Sequence, residues 1–300
     1  MKQILVPLDG SPAAEAMVPY ARVWAQTIDA ALLLLQVVRA PRVDDPLTGI
    51  VSDTDSDPYP VWETRRAEAG AYLERIAAHL AAEQVPVETA IREGDPATVI
   101  TAMASGGDGV VGIAMRTHGR RGLERVIFGS VAEAVLHAVP KPILVLGHRP
   151  PPDVPTPAGP YRTILVPLDG SPAAEVAIHQ AQLLATPTNA ALALVTVAQP
   201  PAGVPSELSW AVETVPSTDR GYEDYMTRVA QRVESAGLKV QTRIATGRRA
   251  ATIRQCAAQA GADLIVMVTH RRAGLERFVY GSVSIQVVQG GVCPVLLIPT

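Results

Sequence analysis

This sequence predicts an α/β fold in two tandem copies, each a five-stranded parallel doubly wound sheet, on three observations. Ile4–Glu15 reads ILVPLDGSPAAE, and Ile164–Glu175 repeats it residue for residue. The offset, from Ile4 to Ile164, is 160 in a chain of 300 residues. That period is domain-sized, so each copy has room for its own core. Within each copy, short leucine-rich or β-branched runs alternate with Ala-rich stretches of helical period. This is the pattern of parallel strands joined by right-handed helical crossovers that cover both faces of a sheet. Between the copies lies HRPPPDVPTPAGP (148–160), a Pro-rich stretch that reads as an extended, stiff linker. The expected units are residues 1–148, a linker 149–160, and residues 161–300.

The elements follow in order. Gln3–Leu8 is the first strand. Ser11 then offers an N-cap, Pro12 suits the first helical position, and Glu15 adds negative charge near the first turn. One helix is expected from there to about Thr27. Ala31–Val38 is a continuous apolar run, as a strand buried on both faces requires. A Pro- and Asp-rich loop, Arg39–Pro60, precedes a helix over about Trp62–Glu83. Strands at Val87–Arg92, Val110–Met115 and Ile143–Leu146 alternate with helices at Pro96–Ser105 and Val131–Ala138. The second copy places strands near Thr163–Leu168, Ala191–Val197, Lys239–Ile244, Leu264–Val268 and Val295–Ile298.

Composition narrows the function. Twenty-six Lys and Arg against 29 Asp and Glu give a net charge of −3, which argues against a broad nucleic-acid or acidic-membrane surface. Aromatic residues make up 4%, too few for base-stacking platforms. No apolar run reaches the ~18 residues of a membrane span, and MKQILVPLDG lacks the regions of a signal peptide. Cys256 and Cys293 have no counterpart in the first copy and no metal-ligand spacing. They read as small buried hydrophobes in a reducing cytoplasm.

Two loops of the first copy carry the chemistry. A doubly wound sheet binds ligands outside the carboxyl ends of its strands, where the winding reverses. Pro7–Ser11 (PLDGS) ends strand one, and Thr117–Val131 (THGRRGLERVIFGSV) follows strand four. If those strands are neighbours, the loops face each other. Gly119 permits close backbone approach. Gly129-Ser130 precedes a helix whose first amides are unpaired and whose dipole is positive there, an anion site. Arg120 and Arg121 add charge for phosphate. One exposed contact of that kind is worth about 0.3–1 kcal/mol, whereas micromolar binding needs about 8 kcal/mol. Several amides, a base pocket and a phosphate-bound metal therefore have to act together.

VPLDGS, then THG, nine residues, GSV and a Pro-led last strand resemble the universal stress protein family over nearly the whole chain. The resemblance implies a five-stranded fold of the adenine-nucleotide alpha-hydrolase-like sandwich type, and ATP, ADP or AMP bound with Mg2+ through G-x-x-G-x9-G-[ST]. It assigns Pro7 and Asp9 to the adenosine side, with Asp9 near the ribose or a phosphate-bound metal and Leu8 between them among the nucleotide-binding residues, and Val37 to adenine. Gly119, Gly129, Ser130 and Val131 fall to the phosphates, and Arg116, Thr117 and His118 are also expected among the nucleotide-binding residues. The second copy offers Pro167, Asp169, Val197, Gly281, Ser282 and Val283. The chain departs from the pattern. Arg116 stands where the first glycine belongs, and Val268 and Arg271 replace both leading glycines in the second copy. A Cβ there blocks a phosphate, or an arginine pairs with it. The first site is favoured. Arg248-Arg249 also replace Asp95-Pro96 after the third strand, as an anion-directed change or a solvated turn.

Blander readings stand beside these. Asp9 and Asp169 are also ordinary Asp-Gly turn residues. His118 and His270 have no carboxylate or nucleophile beside them in sequence, so loop packing or ligand contact is expected rather than catalysis. His79, His137, His148 and His179 show no metal spacing. SGGDG (105–109) reads as a helix-to-strand turn, and no P-loop is present. Trp62 and Trp210 follow the long loops as anchors or lids. Three functions remain open: a cytoplasmic nucleotide-responsive stress protein, a slow ATPase with Asp9 as the nearest candidate base, and an oligomerisation module with degenerate pockets. The resemblance implies dimerisation of single-domain relatives. Here the last strands, Ile143–Leu146 and Val295–Ile298, are expected to meet within one chain and cover two sheet edges. Whether two chains then form a homodimer is left open.

Overall fold

The computed structural model describes residues 1–39, 59–107, 109–117, 128–147, 157, 159–198, 220–269 and 282–300. The first half runs β1 (Gln3–Pro7), α1 (Pro12–Glu15), α2 (Val18–Thr27), β2 (Ala31–Val38), α3 (Tyr59–Ala82), β3 (Val87–Glu93), α4 (Pro96–Ser105), β4 (Val110–Arg116), α5 (Ser130–Ala138) and β5 (Ile143–Leu146). The second runs β6 (Thr163–Leu168), α6 (Pro172–Thr188), β7 (Ala191–Ala198), α7 (Arg220–Ser235), β8 (Val240–Thr246), α8 (Arg249–Gln259), β9 (Leu264–Thr269), α9 (Ser282–Gln289) and β10 (Val295–Pro299).

Within each half every pairing is parallel, in the order β3-β2-β1-β4-β5 and, correspondingly, β8-β7-β6-β9-β10. The winding reverses beside β1, which has β2 on one side and β4 on the other. β10 pairs antiparallel with β5, Val295 opposite Val145 and Leu297 opposite Ile143. The two five-stranded sheets thus form one sheet of ten strands. Its outer edges are β3 and β8, whose Glu88, Arg92, Gln241 and Arg243 are exposed. Charged and polar edge residues discourage further strand pairing.

Strand alternation feeds two cores, one on each face. Ile4, Val6, Leu32 and Leu34 pack under α2 and α3 with Trp24, Leu73, Ile76 and Leu80. Leu5, Leu33, Leu35, Ile113 and Met115 pack under α4 and α5. Each core contains residues of both halves. On α3 the buried Ala69, Leu73, Ile76 and Leu80 recur at three- and four-residue steps, as one face of a helix requires.

Two sequence expectations are corrected. The single helix from Pro12 to about Thr27 is two helices, α1 and α2, parted at Ala16 and Met17. Pro19 is the cause: it has no N–H, and its ring opposes the carbonyl of Glu15. The second copy has His179 at that place, and α6 runs unbroken. The expected loop Arg39–Pro60 ends earlier, because Tyr59 and Pro60 already belong to α3, where proline suits a first turn. Residues 40–58 of that loop lie outside the described residues.

Candidate functional site at the carboxyl ends of β1 and β4

The site begins with the loop after β1. Leu8 N–H donates to Leu35 O at 2.8 Å, carrying the ladder one residue further, and the Leu8 side chain is buried. Pro7 is half-buried and Asp9 exposed. Gly10 has φ +78°, a conformation that favours glycine. The chain then turns back, so that Asp9 Oδ1 accepts from Ser11 N–H at 3.0 Å and from its hydroxyl at 2.6 Å. The Ser11 hydroxyl oxygen in turn accepts from Ala14 N–H at 3.1 Å and caps α1. Asp9 is therefore a turn residue as well as a surface carboxylate. The second copy repeats the arrangement: Asp169 Oδ1 accepts from Ser171 N–H at 2.9 Å, and Gly170 has φ +84°.

The register sets this loop beside the end of β4. Leu5 pairs with Ile113, and Asp9 and Thr117 each lie four residues further on, on strands about 4.8 Å apart. Thr117 is buried. Its N–H donates to Leu146 O at 3.3 Å, and its carbonyl accepts from Gly129 N–H at 2.7 Å. Phe128, buried among the residues beneath α5, pins the other end of this connection. Gly129 is the N-cap residue of α5, extended at φ −64° and ψ 149°, with no side-chain cap. Glu133 N–H makes the first intrahelical bond, to Gly129 O. The amides of Ser130, Val131 and Ala132 precede it and have no intrahelical acceptor. Ser130 is exposed and Val131 half-buried.

Arg116 has a setting the sequence did not indicate. Ala114, two residues before it, belongs to the core beneath α2, whereas Met115 belongs to the core beneath α5. Alternation therefore sends Arg116 to the α2 side. Burial lowers its pKa below the usual guanidinium value, and Tyr20 of α2 opposes that fall. Val37 and Val197 are half-buried at corresponding ends of β2 and β7, on the face of α4 and α8. Pro167 and the exposed Asp169 repeat Pro7 and Asp9. Ser282 starts α9, with Val283 next to it, half-buried. His118, Gly119 and Gly281 lie outside the described residues, as do Arg120, Arg121, His148, Trp210, His270 and Arg271. Asp95 caps α4 by accepting from Thr98 N–H at 3.0 Å, which holds its carboxyl below the ordinary range. Arg248 at the start of α8 makes no such bond.

Cys256 and Cys293 are buried free thiols, and burial raises the pKa of both. His79 and His179 are exposed. His137 lies 3.9 Å from Glu133 on the same helix. Among the described residues no three His, Cys, Asp or Glu side chains gather to hold a metal, and no helix is long and apolar enough to cross a membrane. Asp9 alone is one carboxylate, so a cation fits here only if a bound phosphate supplies further oxygens.

A sequence model of the Universal stress protein family matches residues 1–147 and again residues 160–299. The chain belongs to the universal stress protein family. Similar universal stress proteins include one from Methanocaldococcus jannaschii, 34% identical over 140 residues, 46% of this chain and 82% of that protein. A putative universal stress protein from Staphylococcus epidermidis is 34% identical over 148 residues, 47% of this chain and 85% of its own length. The crystal structure of a universal stress protein from Archaeoglobus fulgidus superposes with a TM-score of 0.73 at 18% identity, covering 99% of this chain and 98% of that one. That likeness establishes a shared fold for the tandem universal stress protein as a whole.

Sequence reasoning missed one group of residues near the Asp9 loop. Tyr72 and Arg75 of α3 stand beside Glu15, and Tyr225 and Arg232 of α7 beside Glu175. A signal was available: both glutamates lie in the identical dodecapeptide.

Proposed function

We propose that this universal stress protein binds an adenine nucleotide, ATP in the first instance, as a regulatory ligand in the cytoplasm. The observation that carries this reading is the mouth of α5. Its first amides have no side-chain cap, Gly129 ties them to the end of β4, and the next strand delivers Asp9. A helix start of this kind favours an anion, and a phosphate chain is the anion a nucleotide presents. Pro7, Asp9 and Val37 would line the adenosine side, and Gly129, Ser130 and Val131 the phosphate side. Asp9 would meet Mg2+ through the phosphates. The units would be residues 1–148 and 161–300 with a linker between them, paired through β5 and β10. Nucleotide binding would bias the loops around the crevice and so alter a partner surface. The second site, led by Asp169, would be weaker, since Val268 and Arg271 replace both leading glycines. Equilibrium dialysis with ATP, using the full chain and Gly129→Glu, tests the reading. Loss of binding in the variant supports the phosphate site, and undiminished binding removes it.

A further inference from the structure

Arg22 of α2 makes two bonds at once. Its Nη1 pairs with Glu83 Oε2 at 2.9 Å, and its Nη2 donates to the carbonyl oxygen of Pro157 at 3.0 Å. The side chain is only 18% exposed, and a guanidinium so shielded needs partners. Its planar fork suits two acceptors side by side. Glu83 stands just beyond the end of α3, where its N–H donates to Leu80 O at 3.1 Å. Arg22 therefore joins α2, the end of α3 and the chain that leads into the second half.

That chain is held again further on. Tyr161 is buried in the core that also contains Ala21 and Trp24 of α2. The next two backbone N–H groups, of Arg162 and Thr163, donate to the Asp263 carboxylate of the second half at 2.8 and 3.3 Å. Thr163 opens β6, the strand that leads to the Asp169 loop. One end of this stretch is thus tied to the first half and the other to the second.

These ties are not part of the fold that the two copies share. Gln182 stands at the place of Arg22, and Met1, 77% exposed, at the place of Tyr161. Val85 N–H donates to Leu80 O as Leu238 N–H does to Val233 O, which sets Ala236 at the place of Glu83. Arginine, glutamate and buried tyrosine therefore occur together only where the halves are joined.

We propose that the chain entering β6 is a strap that fastens the second half to the first separately from the β5–β10 seam, and that Arg22 is its latch. With the latch closed, the start of β6 opens only if Arg22 lets go of Pro157. The position of α2 against the end of α3 is thereby passed to the second half.

Trypsin digestion of the folded full chain, with cleavage after Arg162 followed by mass spectrometry, tests this and needs no ligand. A protease cuts the opened form, so the rate follows the population of that form. Arg22→Met keeps the apolar stem and removes both bonds. Cleavage after Arg162 is expected to be about tenfold faster, the size of a lost hydrogen bond from a charged donor. Arg22→Lys keeps a charge for Glu83 but loses the fork, and about threefold faster cleavage is expected. In both variants cleavage after Arg92 and Arg243, on the outer strands β3 and β8, should keep its rate within about twofold. Should Arg22→Met not fold, Arg22→Lys carries the test alone. Unchanged cleavage after Arg162 in either folded variant overturns the proposal. So does an equal acceleration after Arg92 and Arg243, because Arg22 then supports the whole fold and latches no strap.

Discussion

Gly129 donates its backbone N–H to the carbonyl oxygen of Thr117 at 2.7 Å. This bond joins the residue before α5 to the first residue beyond β4. The amides of α5 that have no intrahelical acceptor thereby start from a fixed point beside the Asp9 loop. Replacing Gly129 by Asp separates stability from binding. Its φ of −64° suits any residue, and an aspartate N-cap is better than glycine by a few tenths of a kcal/mol. Gly129→Asp is expected to unfold at the same or slightly higher urea concentration while losing nucleotide, because its own carboxylate takes the amides. Retained affinity, measured by calorimetry, would mean that the ligand does not use this helix start.

The two copies differ at the N-termini of α4 and α8. Asp95 caps the first, whereas Arg248 and Arg249 crowd the positive end of the second. Arg248→Asp should restore the side-chain cap and remove an unfavourable charge from the dipole. A gain of about 0.5–2 kcal/mol is expected from chemical unfolding. A loss would mean that the arginine has a partner it needs.

Six groups give the chain an alkaline limit. Cys256, Cys293, Tyr20, Tyr72, Tyr161 and Tyr225 all ionise at higher pH in the folded chain than in the unfolded one, with burial the largest cause in each. Each is neutral when protonated, so its contribution is fully present below the unfolded value and is lost as pH rises towards the folded one. That window opens near pH 9.0 for the thiols and 10.0 for the phenols. Each such group tilts stability by up to about 1.4 kcal/mol per pH unit. Urea titrations at increasing pH should show stability falling from about pH 9, with a shallower fall in Cys293→Ala. A flat profile through that range would contradict the burial of these groups.

The antiparallel joint of β5 and β10 is expected to make the halves unfold as one cooperative body. Leu144 and Leu296 are partners at this seam and are buried. Leu144→Ala should cost about 2–5 kcal/mol and lower a single calorimetric transition. Two separate transitions in the unaltered chain would show that the sheet does not transmit stability across the joint.

Much of this fold is legible because strand and helix periods differ and the repeat supplies its own control. Ile143–Leu146 and Pro96–Ser105 have the limits that their apolar run and their proline and cap residue suggest. The parting of α1 from α2 was also written in the sequence, in Pro19 against His179, but an Ala-rich helical period masked it. The Asp9 turn and the Gly129 cap are local and could be read from residue types. The side of the sheet to which Arg116 turns is set by the face Ala114 takes, and the Tyr72 cluster by the packing of α3 on α1. Neither follows from spacing along the chain.

The most direct test of the central claim follows the backbone amides by heteronuclear NMR as MgATP is added, with adenosine as the control. The account predicts phosphate-dependent shifts at Ser130, Val131 and Ala132, and shifts at Asp9–Ser11 with either ligand. Shifts confined to other parts of the chain, or no difference between ATP and adenosine at α5, would contradict it.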